Sequence, residues 1–114
     1  MQKLDLIQSR FFGRICYGFE RDKKGIVYIN EEQAEIVKMI FQSAKNGNSL
    51  EKIQNILFDK GIDSPSGNEK WSRAAIDKLL NNEKYLERII PFEDFIAVQN
   101  EKSERSTHFD MSLS

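Results

Sequence analysis

Residues 49–85 read SLEKIQNILFDKGIDSPSGNEKWSRAAIDKLLNNEKY, and this stretch decides the fold. It contains two segments in which apolar residues recur at helical spacing. Between them lies a segment rich in proline, glycine and asparagine. The pattern predicts two short amphipathic helices joined by a loop. The second helix has a hydroxyl cap that an arginine follows at once.

Ser72 is predicted to cap that second helix, because its hydroxyl can accept from the unpaired backbone N–H groups of a first turn. Asn81 and Asn82 are expected to end the helix, since asparagine tolerates the left-handed backbone conformation found at helix ends. Three aliphatic residues at helical spacing predict its buried side: Ile76, Leu79 and Leu80.

The opposite face of this helix is polar. It carries Arg73, Asp77, Lys78 and Asn81. Such side chains reach base edges and phosphates in a major groove, so the face is a candidate DNA-reading surface. The competing interpretation is an ordinary solvated surface, because every amphipathic surface helix has a polar face.

Composition limits the classes of protein. The 114 residues fit one domain with one core, and 31% charged with 39% apolar residues suits a soluble globular protein. Neither a membrane-spanning run nor a signal peptide is recognisable, so we expect a cytoplasmic protein without a membrane partner. A single cysteine, Cys16, and a single histidine, His108, exclude a disulfide or an all-protein zinc site within the chain. We expect no metal, cofactor or small-molecule substrate.

Net charge gives the DNA hypothesis little support. The chain has 17 basic and 18 acidic residues, a balance of −1, whereas a stand-alone DNA-binding domain is often strongly basic. Residues 1–30 hold six basic and three acidic groups, while residues 91–114 hold two basic and five acidic groups. The acidity is concentrated at the C-terminal end, and the near-neutral middle predicts modest affinity for DNA.

Residues 17–29 predict a β-hairpin. An aromatic segment precedes a polar one, Gly25 supplies the positive φ of a turn, and a β-branched and aromatic run follows. Three cations crowd the tip: Arg21, Lys23 and Lys24. They are candidates for phosphate contacts, and a solvated turn is the alternative.

Two helices are predicted between the hairpin and the long loop. Asn30 caps the first, with Gln33 three residues on as a variant of the capping box. Gly47 ends this helix, Ser49 caps the next, and Gly61 closes it. The buried stripe of the first helix is predicted at Ala34, Val37, Ile40, Phe41 and Ala44.

The loop at residues 62–71 is too long for a simple helix-turn-helix, whose turn has about three or four residues. Pro65, Gly67 and Asn68 make it rich in turn residues. We expect Trp71 to anchor the loop in the core and Lys70 to stand just before the cap.

Twenty residues, taken with the distances between them along the chain, form a pattern: Tyr17, Gly18, Glu32, Ala34, Val37, Ile40, Phe41, Gly47, Ser49, Ile53, Leu57, Gly61, Ile62, Gly67, Trp71, Ser72, Ile76, Leu80, Asn82 and Tyr85. Together they resemble the recombinase domain of the large serine recombinases, the integrases and transposases of phages and mobile elements. The resemblance runs from Tyr17 to about Gln99. Its last part is similar to the segment that leads toward a zinc ribbon in that family.

This resemblance implies a DNA-binding module that follows a separate catalytic domain. The serine of that domain attacks the DNA phosphodiester and forms a covalent link while four subunits exchange strands. The chain is expected to contain neither that domain nor the zinc-ribbon cysteines. The implied partner is double-stranded DNA at recombination sites, the process is DNA recombination and integration, and the catalyst is an oligomeric parent protein.

The chain departs from the family pattern at three places. A glycine and prolines usually precede the Tyr-Gly pair, where residues 14–16 read Arg-Ile-Cys. Glu87 stands where a glycine often follows the tyrosine by two. The connection between Tyr85 and Ile89 is short, so the hairpin expected there is reduced to one strand or lost.

With this family in view, Arg73 is the best candidate for a base contact. Early residues of a recognition helix point at the bases, and arginine can form two hydrogen bonds with guanine. Lys70 and Lys78 are candidates for phosphates, and Asp77 would accept from a cytosine amine or face water. The predicted DNA-binding set is completed by Ser72, Asn81, Arg21, Lys23 and Lys24.

We therefore predict an α+β, mainly α fold, with an N-terminal β-hairpin followed by a small three- to four-helix DNA-binding bundle. The predicted divisions are a lead-in segment at 1–14, the recombinase-type domain at 15–90, a C-terminal helix or linker at 91–105, and a disordered tail at 106–114. Two other functions stay open. One is a protein-interaction remnant or regulator derived from a recombinase, and the other is a stand-alone helix-turn-helix-like transcriptional regulator.

Overall fold

The structure is a computed structural model that describes the backbone of residues 16–113 and the side chains of residues 16–102. The predicted lead-in segment lies outside this part of the chain, as do the side chains of the predicted tail. The elements, in order, are β1 (Phe19–Arg21), β2 (Val27–Ile29), α1 (Glu31–Lys45), α2 (Leu50–Asp59), α3 (Arg73–Leu80), a 3₁₀ turn (Glu83–Tyr85) and α4 (Phe92–Leu113). This arrangement confirms the predicted α+β, mainly α fold.

The hairpin forms where the sequence predicts it. β1 and β2 pair antiparallel, and Gly25 has a φ of 87° in the turn between them. The carboxylate of Asp22 accepts from the backbone N–H groups of Lys24, at 2.8 Å, and Ile26, at 2.9 Å. The turn is therefore fixed by an aspartate side chain as well as by the glycine.

The base of the hairpin is anchored in the core by aromatic side chains. Phe19 stacks on Tyr85 with ring centroids 5.9 Å apart, and Tyr17 meets Trp71 edge-on at 5.4 Å. The Tyr85 hydroxyl donates to the Tyr17 carbonyl at 2.6 Å, and burial raises the pKa of this phenol, which keeps it a donor. Gly18 has a φ of 103°, and a Cβ there would come within 3.0 Å of an isoleucine side chain. The Tyr-Gly pair thus suits a close contact that other residues would obstruct.

Asn30 caps α1, but only one of the two hydrogen bonds of the predicted capping box forms. The Asn30 side chain accepts from the Gln33 N–H at 3.0 Å. The Gln33 side chain accepts instead from the Gly18 N–H at 2.9 Å, because the Asn30 N–H already donates to the Gly18 carbonyl. The cap therefore ties the hairpin to α1. The predicted buried stripe of α1 is confirmed: Ala34, Val37, Ile40, Phe41 and Ala44.

The prediction that Asn81 and Asn82 end α3 in the left-handed conformation is wrong. Their φ values are −96° and −83°. Asn82 stops the helix in another way, because its side chain accepts from the Lys84 N–H at 3.0 Å and caps the 3₁₀ turn. This cap requires an extended backbone at Asn82.

A left-handed residue does occur at Glu87, where the family often has glycine. Its φ is 64°, a conformation that costs a non-glycine residue about 1–2 kcal/mol. Its carboxylate accepts from the Phe92 N–H at 3.2 Å, at the start of α4. The glutamate thus adds a helix cap that glycine lacks. Among the described residues, only an isolated parallel bridge between Leu86 and Ile90 stands where the family's hairpin was expected.

α4 begins directly after Pro91 and packs on α1, with the rings of Phe95 and Phe41 5.7 Å apart. It runs to Leu113, beyond the predicted boundary at residue 105, because residues 92–113 include neither glycine nor proline. The division of the chain into domains stays a prediction. In the part of the chain described, no helix is long and apolar enough to cross a bilayer.

Candidate nucleic-acid interface

The long loop before α3 is ordered by hydrogen bonds at both ends. Trp71 is 1% exposed, and its indole N–H donates to the Ile62 carbonyl at 3.1 Å. The Gln54 amide of α2 donates to the Trp71 carbonyl at 2.7 Å. Within the loop, the buried Ser64 hydroxyl accepts from the Asn68 N–H at 3.0 Å. These contacts confirm the predicted anchor and fix the start of α3 relative to α2.

α3 buries one side and exposes the other. The Ser72 hydroxyl accepts from the Ala75 N–H at 3.0 Å, so the predicted cap is confirmed. The buried residues are the three that the spacing predicts: Ile76, Leu79 and Leu80. The exposed residues of the helix and its two caps are Ser72, Arg73, Ala74, Lys78 and Asn81. Of the predicted DNA-reading face, Arg73, Lys78 and Asn81 are therefore open to solvent, and Asp77 is partly buried.

Arg73 stands at the first position of α3 beside the first turn of α2. Its guanidinium lies 3.3 Å from the Glu51 carboxylate, and the two side chains are 64% and 67% exposed. An exposed pair of this kind is worth about 0–1 kcal/mol, so Glu51 orients the arginine without holding it tightly. α3 has no acidic residue in its first turn, whereas α1 and α2 do. A cation at this positive helix end is unfavourable until an anion approaches.

Asp77 and Asn81 are held from the side by α4. The Lys102 ammonium lies 2.6 Å from the Asp77 carboxylate and donates to the Asn81 side-chain carbonyl at 2.7 Å. The Asn81 amide also donates to Asp77 at 3.4 Å. The acidic residue on the predicted DNA-binding face is thus neutralised by a lysine from another helix.

Lys70 and Lys78 are exposed, and neither forms an ion pair with another described residue. Lys70 lies at the end of the ordered loop, and Lys78 lies on the outer face of α3. Together with Arg73 they make three cations along the loop and helix. This arrangement can bind phosphate, because each ammonium and guanidinium donates charge-assisted hydrogen bonds.

The hairpin cations form a separate group. Arg21, Lys23 and Lys24 are exposed around the tip. The contacts with Trp71 and Tyr85 lie at the base of the hairpin, at the other end of its strands. The predicted site residues therefore fall into an α3 group and a hairpin-tip group. The contacts described connect the base of the hairpin, and not its tip, to the region around α3.

The described residues offer little for metal or nucleophilic chemistry. Among them, no group of three or more His, Cys, Asp or Glu side chains is placed to hold a metal ion. Burial raises the pKa of the Cys16 thiol, although the charge of Lys84 opposes this shift. A raised pKa keeps a thiol protonated and poorly nucleophilic.

Comparison with known proteins assigns the helical part of this structure. Residues 31–86 match the family model named Recombinase. The chain contains a Recombinase-family domain. The matched region runs from the start of α1 through α3 and the 3₁₀ turn, so it includes the ordered loop and the exposed helix face. None of the curated proteins is significantly similar to the chain.

The Recombinase domain also shares its fold with a solved structure, the crystal structure of a large serine recombinase (LSR)–DNA complex. The TM-score is 0.67 and the sequence identity is 23%. The match covers 82% of this chain and 32% of that chain, so this chain spans about a third of that protein.

Sequence reasoning missed two residues of the candidate interface: Glu51, inside the Recombinase match, and Lys102, beyond its end. Their contacts reach 22 and 25 residues along the chain, to Arg73 and Asp77. Periodicity within one helix carries no signal for such pairs, because they depend on how two helices pack. The sequence signal for such pairs is that different helices carry residues of opposite charge. This signal has low specificity, because most surface helices carry both charges.

Proposed function

We propose that this Recombinase domain binds duplex DNA at the recombination sites of a serine site-specific recombinase. α3 enters the major groove with Arg73 directed at the bases. The observation that carries the proposal is that α3 buries its aliphatic side and presents Arg73 and Lys78 to solvent. The fold shared with an LSR–DNA complex supports it.

The dimensions of α3 suit a groove. An eight-residue helix is roughly 12 Å long, and the major groove of B-DNA is about 12 Å wide. Ala74 lies between the polar residues of the exposed face, and its small side chain allows the helix backbone to approach the bases closely. Lys70 and Lys78 then flank Arg73 as phosphate contacts that set its register.

The local charge is more favourable to DNA than the net charge of the chain. Lys102 neutralises Asp77, so the α3 surface presents cations without an unpaired carboxylate between them. Exposed Arg21, Lys23 and Lys24 at the hairpin tip provide a second positive group that can reach backbone phosphates. Binding through this set is expected to weaken steeply with salt, because counterions leave the DNA when cations bind.

In this proposal the domain recognises DNA and is not the catalyst. The nucleophilic serine belongs to a separate domain of the parent recombinase, which acts in the cytoplasm as an oligomer during integration of a mobile element. The departures of the sequence from the family pattern, at residues 14–16 and between Tyr85 and Ile89, fall outside α3, which keeps its cap and buried side.

Lys78→Ala tests the proposal. We expect it to weaken duplex binding for all sequences alike and to reduce the slope of log affinity against log salt by about 1. The measurement is fluorescence anisotropy of a labelled duplex at several salt concentrations. Lys38→Ala is the matched control, because it removes the same charge from an exposed site on α1.

The control variant should bind as the unchanged chain does. Equal effects of the two substitutions would contradict the proposed surface. No binding at low salt, or a slope near zero, would contradict the proposed function and favour the protein-interaction alternative.

A further inference from the structure

We infer that Lys102 of α4 is part of the DNA-binding surface, where it neutralises Asp77, positions Asn81 and offers its remaining N–H to a backbone phosphate. The inference rests on the proposed function of α3. It adds a positioning residue from a helix that the family match, which ends at residue 86, does not include.

The geometry places one ammonium between two side chains of α3. Lys102 Nζ lies 2.6 Å from Asp77 Oδ1 and 2.7 Å from Asn81 Oδ1. Asp77 and Asn81 stand four residues apart, one turn along the same face. A lysine ammonium has three donors, and these two contacts use two of them. Among the residues whose side chains are described, none is seen to accept from the third, which can be donated to an oxygen of a ligand.

Lys102 is presented by a firmly packed part of α4. Phe95 and Val98, on the preceding turns, are buried in the core. The Gln99 amide donates to the Leu80 carbonyl at 2.8 Å, which fastens α4 to the end of α3. The position of Lys102 is therefore set by the packing of the two helices and does not depend on a mobile segment.

The pair lies at the rim of the α3 surface. The side chains of Lys102 and Asp77 are 32% and 45% exposed, so both remain accessible to a ligand on that surface. Without the lysine, a carboxylate would stand within the set of cations and repel phosphate. Lys102 thus cancels a repulsive charge on this surface and can still donate an N–H to a phosphate oxygen.

A double-mutant cycle on the full chain tests this inference. The probe is a labelled duplex at low salt, and the variants are Lys102→Met, Asp77→Asn and the two combined. We expect Lys102→Met alone to weaken binding about tenfold, because a phosphate contact is lost and a carboxylate is unmasked. In the Asp77→Asn background the same change should cost only about twofold to threefold. Lys102→Arg should stay within about twofold of the unchanged chain.

Parallel measurements separate the inference from the proposed function. If Lys78→Ala weakens binding and Lys102→Met does not, the inference is overturned while the proposed function stands. If the unchanged chain does not bind the duplex, both fall. An equal loss from Lys102→Met in the two backgrounds, with a lowered thermal midpoint, would assign Lys102 a purely structural role and overturn the inference.

Discussion

Trp71→Ala is expected to lower the free energy of unfolding by about 3–5 kcal/mol, as large-to-small changes of buried aromatic residues do. Trp71 is 1% exposed and meets Tyr17 edge-on. Its removal opens a cavity and leaves the partly buried carbonyl of Ile62 without its indole donor. The loop that fixes the start of α3 then loses its anchor.

The measurement is urea unfolding followed by circular dichroism, because Trp71 is the sole tryptophan and its fluorescence is lost with it. Phe58→Ala is the matched control. Phe58 lies on α2 and is 51% exposed, so we expect a change of less than about 1 kcal/mol. Similar losses from the two substitutions would contradict the assignment of Trp71 as the anchor of the loop.

Arg73→Ala is expected to weaken specific DNA binding by about 1–3 kcal/mol while the stability of the fold hardly changes. The exposed pair with Glu51 contributes about 0–1 kcal/mol. Removing a cation from the positive end of α3 compensates part of that loss. Affinity and unfolding are measured on the same protein, by anisotropy and by urea titration.

Two controls identify the role of Arg73. Arg73→Lys keeps the charge and loses the planar two-donor geometry, so an intermediate affinity is expected. Glu51→Gln removes the partner and leaves the arginine. If pairing with Glu51 is the function of Arg73, the Glu51→Gln and Arg73→Ala variants should behave alike. We expect instead that Glu51→Gln binds DNA at least as tightly as the unchanged chain, because a carboxylate near the groove is lost.

The features predicted from the sequence are those set by a few neighbouring residues. Asn30, Ser49 and Ser72 each accept from a backbone N–H three residues on, as their positions before apolar stripes predict. The buried sides of α1 and α3 follow from helical spacing alone. The burial of Trp71 follows from its residue type, because tryptophan is highly buried on average even when its neighbours in sequence are polar.

Most of the features that the sequence did not reveal depend on contacts between elements. Gln33 turns from the predicted capping box to Gly18 because the hairpin occupies the other half of the cap. Asn82 caps the 3₁₀ turn and never becomes left-handed. Lys102 reaches Asp77 only because α4 packs beside α3. For Gln33 and Lys102 a local preference yields to a partner that is distant in sequence, whereas Asn82 takes a partner two residues away, in the next turn.

The most direct test of the central claim, that the outer face of α3 binds duplex DNA, is an NMR titration of the ¹⁵N-labelled chain with a duplex. The largest amide shift changes are expected at residues 70–82, with a second group at the hairpin tip. Shift changes concentrated on the exposed side of α1, with α3 unaffected, would contradict the claim.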